Sequence, residues 1–460
     1  MGFGGHAKGS GSGAAMLCAA LLFAFASALI GFAATAAPPA PPGYEGVASC
    51  AGSTCHGRME ADGAVVRQDE LQLWQESSSP AGAHSRAFAI LSSRRSRAIA
   101  ATLKLGDPAS EPTCLGCHST PADGARGAKF LTSDGVSCEG CHGPAGGWIA
   151  SHYAVGASHA DNVARGMTAL DRPATRAGVC LDCHLGSGKP GQFVSHRMMA
   201  AGHPRISFEL DLFSTLQQHH DEDGDYASRK GRSDSVRMWA VGQAMAVNRQ
   251  MSLFASGRGT EGAFPEFTFF DCHSCHRRIF DQEDRSLTFE VNPGRPIPFA
   301  QPPFNDENMI LLSAAAKVAA PGLASRFDAD VRAFHQAMGV DRAAAIAASR
   351  RLAATSLTLA NTLGGSAGGG DMAFAIVDAI AGPAGAPRFT DYQGSVQSVM
   401  AIDTLLNALV KHGRVTRGAA AGIRADINRA YAAVKEPNGY RPGEFRAALG
   451  SAVRSIRALR

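Results

Sequence analysis

The chain has 460 residues, 44 of them Lys or Arg against 40 Asp or Glu, and formal charge +4. That near-neutral balance, without a basic run, argues against nucleic-acid binding, and the length suffices for two domains. Past the N-terminus no stretch approaches the roughly 20 apolar residues that a membrane span needs.

The N-terminus is predicted to be an export signal, residues 1–36. Lys8 is its only charged side chain (His6 aside), an apolar stretch follows over 14–34, and Ala34-Thr35-Ala36 is a small-x-small cleavage site. An uncleaved anchor is the alternative; either way the remainder is exported. Residues 38–42 form a short stiff linker.

Ten of the 11 cysteines follow, all in close pairs: Cys50 and Cys55, Cys114 and Cys117, Cys138 and Cys141, Cys180 and Cys183, Cys272 and Cys275. Each pair is followed by a histidine: His56, His118, His142, His184 and His276. Four pairs read Cys-x-x-Cys-His, the haem c attachment motif. At this spacing two thiols reach the two vinyl groups of one porphyrin, and the next imidazole lies under the iron. Disulfides or zinc sites also use paired cysteines, but neither requires the histidine. The first pair encloses four residues; the extra two can loop outward and leave Cys55 and His56 in the usual relation. Five covalently bound haem c groups are thus predicted, the first at an atypical site, with the five histidines as proximal iron ligands.

The opposite face of each iron needs a further ligand. Five histidines stand out by context as distal candidates: His84, His152, His159, His196 and His203. His84 opens a predicted helix over 84–105, closed by Gly106-Asp107-Pro108. His152 follows Trp148, a residue suited to packing on a porphyrin, and His159 comes seven residues later. His196 and His203 flank Met198 and Met199. The acidic stretch 219–225 reads as a solvated loop, since it fails the EF-hand pattern. A helix is predicted over 235–255 from the apolar positions Val236, Trp239, Val247, Met251 and Phe254. A proline-rich break over 293–303 ends the cysteine-bearing part. Beyond it the chain is Ala-rich, with an apolar helical stripe at Phe327, Val331 and Phe334 and helices predicted over 341–363, 395–412, 416–434 and 442–459. His335 and His412 in this tail read as surface residues, and His273, inside its own attachment loop, can reach only an iron other than its own. The predicted fold is mainly α with much irregular loop. A multihaem cytochrome c domain (44–301) precedes a haem-free helical domain (305–460).

Four local segments carry a family resemblance: 74–84, Ser137-Cys-Glu-Gly-Cys-His-Gly-Pro144, Ala201-Gly-His-Pro-Arg-Ile-Ser-Phe-Glu209 and Phe270-Asp-Cys-His-Ser-Cys-His276. They resemble the multihaem c-type cytochrome superfamily of hydroxylamine oxidoreductase, pentahaem nitrite reductase and the tetrahaem cytochrome of ammonia oxidisers. The resemblance implies closely stacked haems and mostly histidine distal ligands, His84 and His196 matching best. Two departures lower an enzymatic reading. No attachment site ends in lysine, as the active haem of pentahaem nitrite reductase requires. The chain has five sites and few tyrosines, unlike hydroxylamine oxidoreductase with its eight haems and tyrosine crosslink.

The sequence therefore predicts a periplasmic electron carrier between redox proteins, among them a membrane quinol oxidase partner. Five haems would add about ten carboxylates and make the holoprotein acidic, favouring basic docking surfaces. The alternative is an oxidoreductase acting on a small nitrogen or sulfur compound at one open haem, with Arg197 or Arg205 orienting the substrate.

Overall fold

Glycine, proline and short polar segments break the cysteine-bearing part into short helices, whereas the Ala-rich tail sustains long ones. The computed structural model follows that division. It describes residues 1–2, 43–62, 67–220, 222–259, 263–276, 295–297, 301–366, 368–386 and 391–460. The predicted export segment and linker lie outside them, apart from the first two residues.

In the first part the helices are α1 (Glu70–Gln75), α2 (Arg94–Leu103), α3 (Pro112–His118), α4 (Cys138–His142) and α5 (Ile149–His152). They continue with α6 (His159–Ala164), α7 (Pro173–His184), α8 (His196–Ala200), α9 (Leu210–Leu216) and α10 (Gly224–Lys230). Helix α11 (Ser235–Phe254) is the first long one. The tail comprises α12 (Glu307–Ala319), α13 (Pro321–Met338), α14 (Arg342–Gly365), α15 (Gly370–Ala384), α16 (Tyr392–Lys411), α17 (Arg417–Ala433) and α18 (Pro442–Arg457). Among the described residues there is no β-strand, only isolated bridges between Tyr44 and Arg126 and between Phe270 and Phe304. The mainly α class with long irregular loops is the observed one. No helix among the described residues is long and apolar enough to cross a membrane.

The helix predicted over 84–105 is not continuous. His84 follows a single 3-10 turn, Pro80–Ala83, and a second turn occupies Ala89–Ser92. Only α2 is α-helical, because the Ser93 hydroxyl accepts from the Ser96 amide and starts a new helix there.

Helix α11 is buried on nearly every side, with 15 of its 20 residues out of solvent. One face joins the main core, where Trp239, Val247 and Phe254 meet Phe304, Phe327, Phe334, Leu352 and Leu359. The other carries Met238 and Ala246 against Ala177 and Leu181 of α7 and Leu210 of α9. A wall of the tail's core thus also backs the helix that bears the fourth attachment site. A buried Phe in such a core contributes about 3–5 kcal/mol over Ala.

Polar contacts reinforce this junction. Glu209 Oε2 accepts from Thr404 Oγ1 of α16 at 2.8 Å, and its carboxylate caps α9 through the Asp211 and Leu212 amides. Burial, then the nearby Asp211, push the Glu209 carboxyl up to about 7, against about 4.3 in an unfolded chain. The folded protein therefore holds a proton that the unfolded chain has released, and stability falls as pH rises through that window. Glu209→Gln should flatten the fall between pH 5 and 8 by up to roughly 3 kcal/mol, leaving the share of Asp211, itself raised to about 6 by burial. Urea midpoints across this range check it; an unchanged slope would refute the assignment.

Candidate haem-binding centres

Three attachment sites share one local design. Helices α3, α4 and α7 each end on the histidine of their own motif, so both cysteines and the imidazole project from the last helical turn. Proline at the first turn starts α3 and α7. Gly143, at φ +80°, stops α4 directly after His142, where a Cβ would crowd Thr168 Oγ1 at 2.8 Å. The first site is an open turn. The His56 amide donates to the Cys50 carbonyl at 3.1 Å, while Gly52, Ser53 and Thr54 stand in solvent. The two additional residues do loop outward. The last site lies in the 3-10 turn Cys272–Ser274.

Every attachment histidine faces another histidine. His56 and His152 have ring centres 5.9 Å apart, His118 and His203 6.2 Å, His184 and His84 6.2 Å, and His276 and His196 6.2 Å. His142 faces His219 at 6.3 Å and His220 at 6.1 Å. Two metal–imidazole bonds of about 2 Å, with half a ring beyond each nitrogen, span roughly 6 Å. The gaps therefore fit one iron each. Ring planes lie 18° apart in the first pair and 41° in the fifth, and 84–88° in the others.

Hydrogen bonds leave the metal-facing nitrogen free where they can be traced. His118 Nδ1 donates to the Ala87 carbonyl and His203 Nδ1 to that of Pro204, both at 2.8 Å. His56 Nδ1 lies 2.9 Å from Glu70 Oε2. Each contact orients the ring and fixes Nε2 as the available ligand atom. His84 Nδ1 and His184 Nδ1 are buried without a hydrogen-bond partner, a cost that metal ligation of the rings helps to offset. Burial, then its neighbours His220 and His219, hold the His142 imidazole down at about 3. Burial likewise lowers His184 to about 4. Both are neutral at physiological pH, the form that binds iron.

His84, His152, His196 and His203 are thus each brought opposite an attachment histidine. His159 is not: it starts α6, and its Nε2 pairs with Asp171 at 3.2 Å on an exposed surface. The place opposite His142 falls to His219 and His220, from the stretch read as a solvated loop. Their only sequence signal was two adjacent histidines in the haem-bearing half. His335 is also no surface residue; it is 2% exposed and pairs with Asp306. His412 is exposed as expected, while His273 turns to the tail, its Nδ1 2.9 Å from the Pro437 carbonyl. Arg205 is half-buried and paired with the buried Glu307 at 3.0 Å. Attachment segments also abut one another. The side chains of Cys50 and Cys138 lie close together, as do those of Cys117 and Cys183.

Attachment cysteines and facing imidazoles are the working parts of a c-type cytochrome, a class that carries electrons on haem c. Within it, residues 49–143 match the family described as cytochrome c554 and c-prime, which supports that class, the haem c cofactor and a part in electron transfer. The match spans the first three attachment sites and His84. Neither a curated protein nor a solved structure matches the chain.

Proposed function

We propose that the protein is a periplasmic pentahaem c-type cytochrome that passes electrons between redox partners. The observation that carries this reading is that all five attachment histidines face a second histidine across a gap of one iron. An iron held by two imidazoles has no open face for a substrate and exchanges only electrons. Cys50, Cys55, Cys114, Cys117, Cys138, Cys141, Cys180, Cys183, Cys272 and Cys275 hold the porphyrins; each supplies its short local anchor, so five fit a chain of this size. The family match starts one residue before Cys50, which favours haem at the atypical first site. The abutting attachment segments favour closely spaced haems and rapid transfer among them. Residues 305–460 act as a haem-free scaffold: the Gln393 side chain of α16 accepts from the Cys272 amide at 3.1 Å and donates to its sulfur. Partners would be redox proteins with basic surfaces, including a quinol-oxidising protein of the membrane.

The test is the mass and low-temperature electron paramagnetic resonance of the oxidised holoprotein. Five haems are expected, four in Cys55→Ala, with low-spin ferric signals only. The near-parallel first pair should give a rhombic signal and the near-perpendicular pairs strongly anisotropic ones. A high-spin signal that shifts with nitrite, hydroxylamine or sulfite would instead make the protein an enzyme.

A further inference from the structure

Among the described residues, four attachment histidines face one histidine ring each, whereas His142 faces two. His219 stands 6.3 Å from it and His220 6.1 Å, both at 88°, and the two candidate rings are 4.3 Å apart. Ligand nitrogens of all three histidines lie within 4.8 Å of one another. Neither candidate is excluded by its other contacts. His219 Nδ1 lies 3.1 Å from the Gln217 carbonyl, with the Gln217 side-chain amide at 3.2 Å from the same nitrogen. His220 Nδ1 lies 3.4 Å from Glu70 Oε1. In both rings Nε2 remains for the gap in front of His142. The pair sits in the loop between α9 and α10, so one ring can replace the other without unwinding a helix.

We infer that the iron held by His142 has two interchangeable distal ligands, His219 and His220. The inference rests on the reading that a haem is attached at Cys138 and Cys141. The two ligands are chemically unequal. His220 leans on a carboxylate, which strengthens its electron donation and favours ferric iron, whereas His219 contacts a neutral carbonyl. Exchange of one for the other therefore changes the potential of that haem while its spin state stays the same. Glu70 adds a link, because its other oxygen holds His56 Nδ1 at 2.9 Å. The carboxylate that selects His220 at the third site also orients the proximal ligand of the first.

The experiment uses holoprotein carrying His219→Ala, His220→Ala or both, with His219→Phe and His220→Phe where an alanine variant does not accumulate. Each single variant should remain entirely low-spin, and the double variant should show one high-spin haem. Redox titration should find one haem with a lower potential in His219→Ala and a higher one in His220→Ala. A high-spin haem in one single variant would make that residue the sole ligand and overturn the inference. So would a double variant that stays low-spin. Peptide mapping separates the underlying reading, which fails if the peptide with Cys138 and Cys141 carries no haem mass.

Discussion

Replacing His203 with alanine should convert one low-spin haem to high-spin without changing the number of haems bound. The porphyrin opposite would stay attached through Cys114 and Cys117, and His118 would stay oriented by its bond to the Ala87 carbonyl. Only the second imidazole is lost, and the 6.2 Å gap between the rings becomes an open face. His203 is half-buried, so small ligands should reach the iron from solvent. The variant should bind cyanide at one haem, and that haem's potential should rise with the loss of a donor. Optical titration with cyanide and haem quantitation check this together. An unchanged spectrum would mean that another side chain ligates the iron, and the pairing of His118 with His203 would be wrong.

Arg295→Ala should destabilise the protein by about 3–5 kcal/mol, the usual result of removing one partner from a buried ion pair. Its guanidinium pairs with Asp306 and lies 2.7 Å from Asp391 Oδ2, and both carboxylates are almost fully buried. His335 contributes a second contact to Asp306 at 3.2 Å. Asp391 caps α16 through the Gly394 amide, two residues from the Gln393 that grips Cys272. Burial raises the carboxyls of Asp271 and Asp391, with Asp391 adding to the rise at Asp271. The loss should therefore be smaller in mild acid, where these groups take up protons, and greatest above neutrality. The neutral set Arg295→Met, Asp306→Asn, Asp391→Asn should recover most of it, since neither charge is then left unpaired. Urea unfolding measures all three comparisons. A loss under 1 kcal/mol for Arg295→Ala at pH 7.5 would show the network to be dispensable.

What could be read from the sequence was whatever is settled within a few residues. Thioether attachment needs two thiols and an imidazole in one turn, so the five attachment segments are visible as strings of letters. Long amphipathic helices are local in the same sense. The helix predicted over 235–255 is Ser235–Phe254, and those over 341–363 and 416–434 are Arg342–Gly365 and Arg417–Ala433. Helix α15 was passed over because glycines at its start and Pro383 near its end resemble a break. Distal histidines come from another kind of information. His203 lies 85 residues beyond His118, and nothing near either marks the other. His159 shows the error this invites: Ser158 and Asp161 cap its helix in a pattern legible locally, but the ion pair with Asp171 that occupies its Nε2 depends on the fold. His335 was misjudged for the same reason, because its partner Asp306 comes from a different helix start.

The two faces of α11 bear on how the chain comes apart. Any fluctuation that pulls α11 away from the tail also removes the backing of α7 and its attachment turn. Loss of either half withdraws a wall from the other, so the two should melt together as one cooperative unit. A chain ending at 301 would retain all ten paired cysteines yet leave one side of α11 facing water. The C-terminal third, which binds no iron in this reading, would then govern how firmly iron is held in the rest.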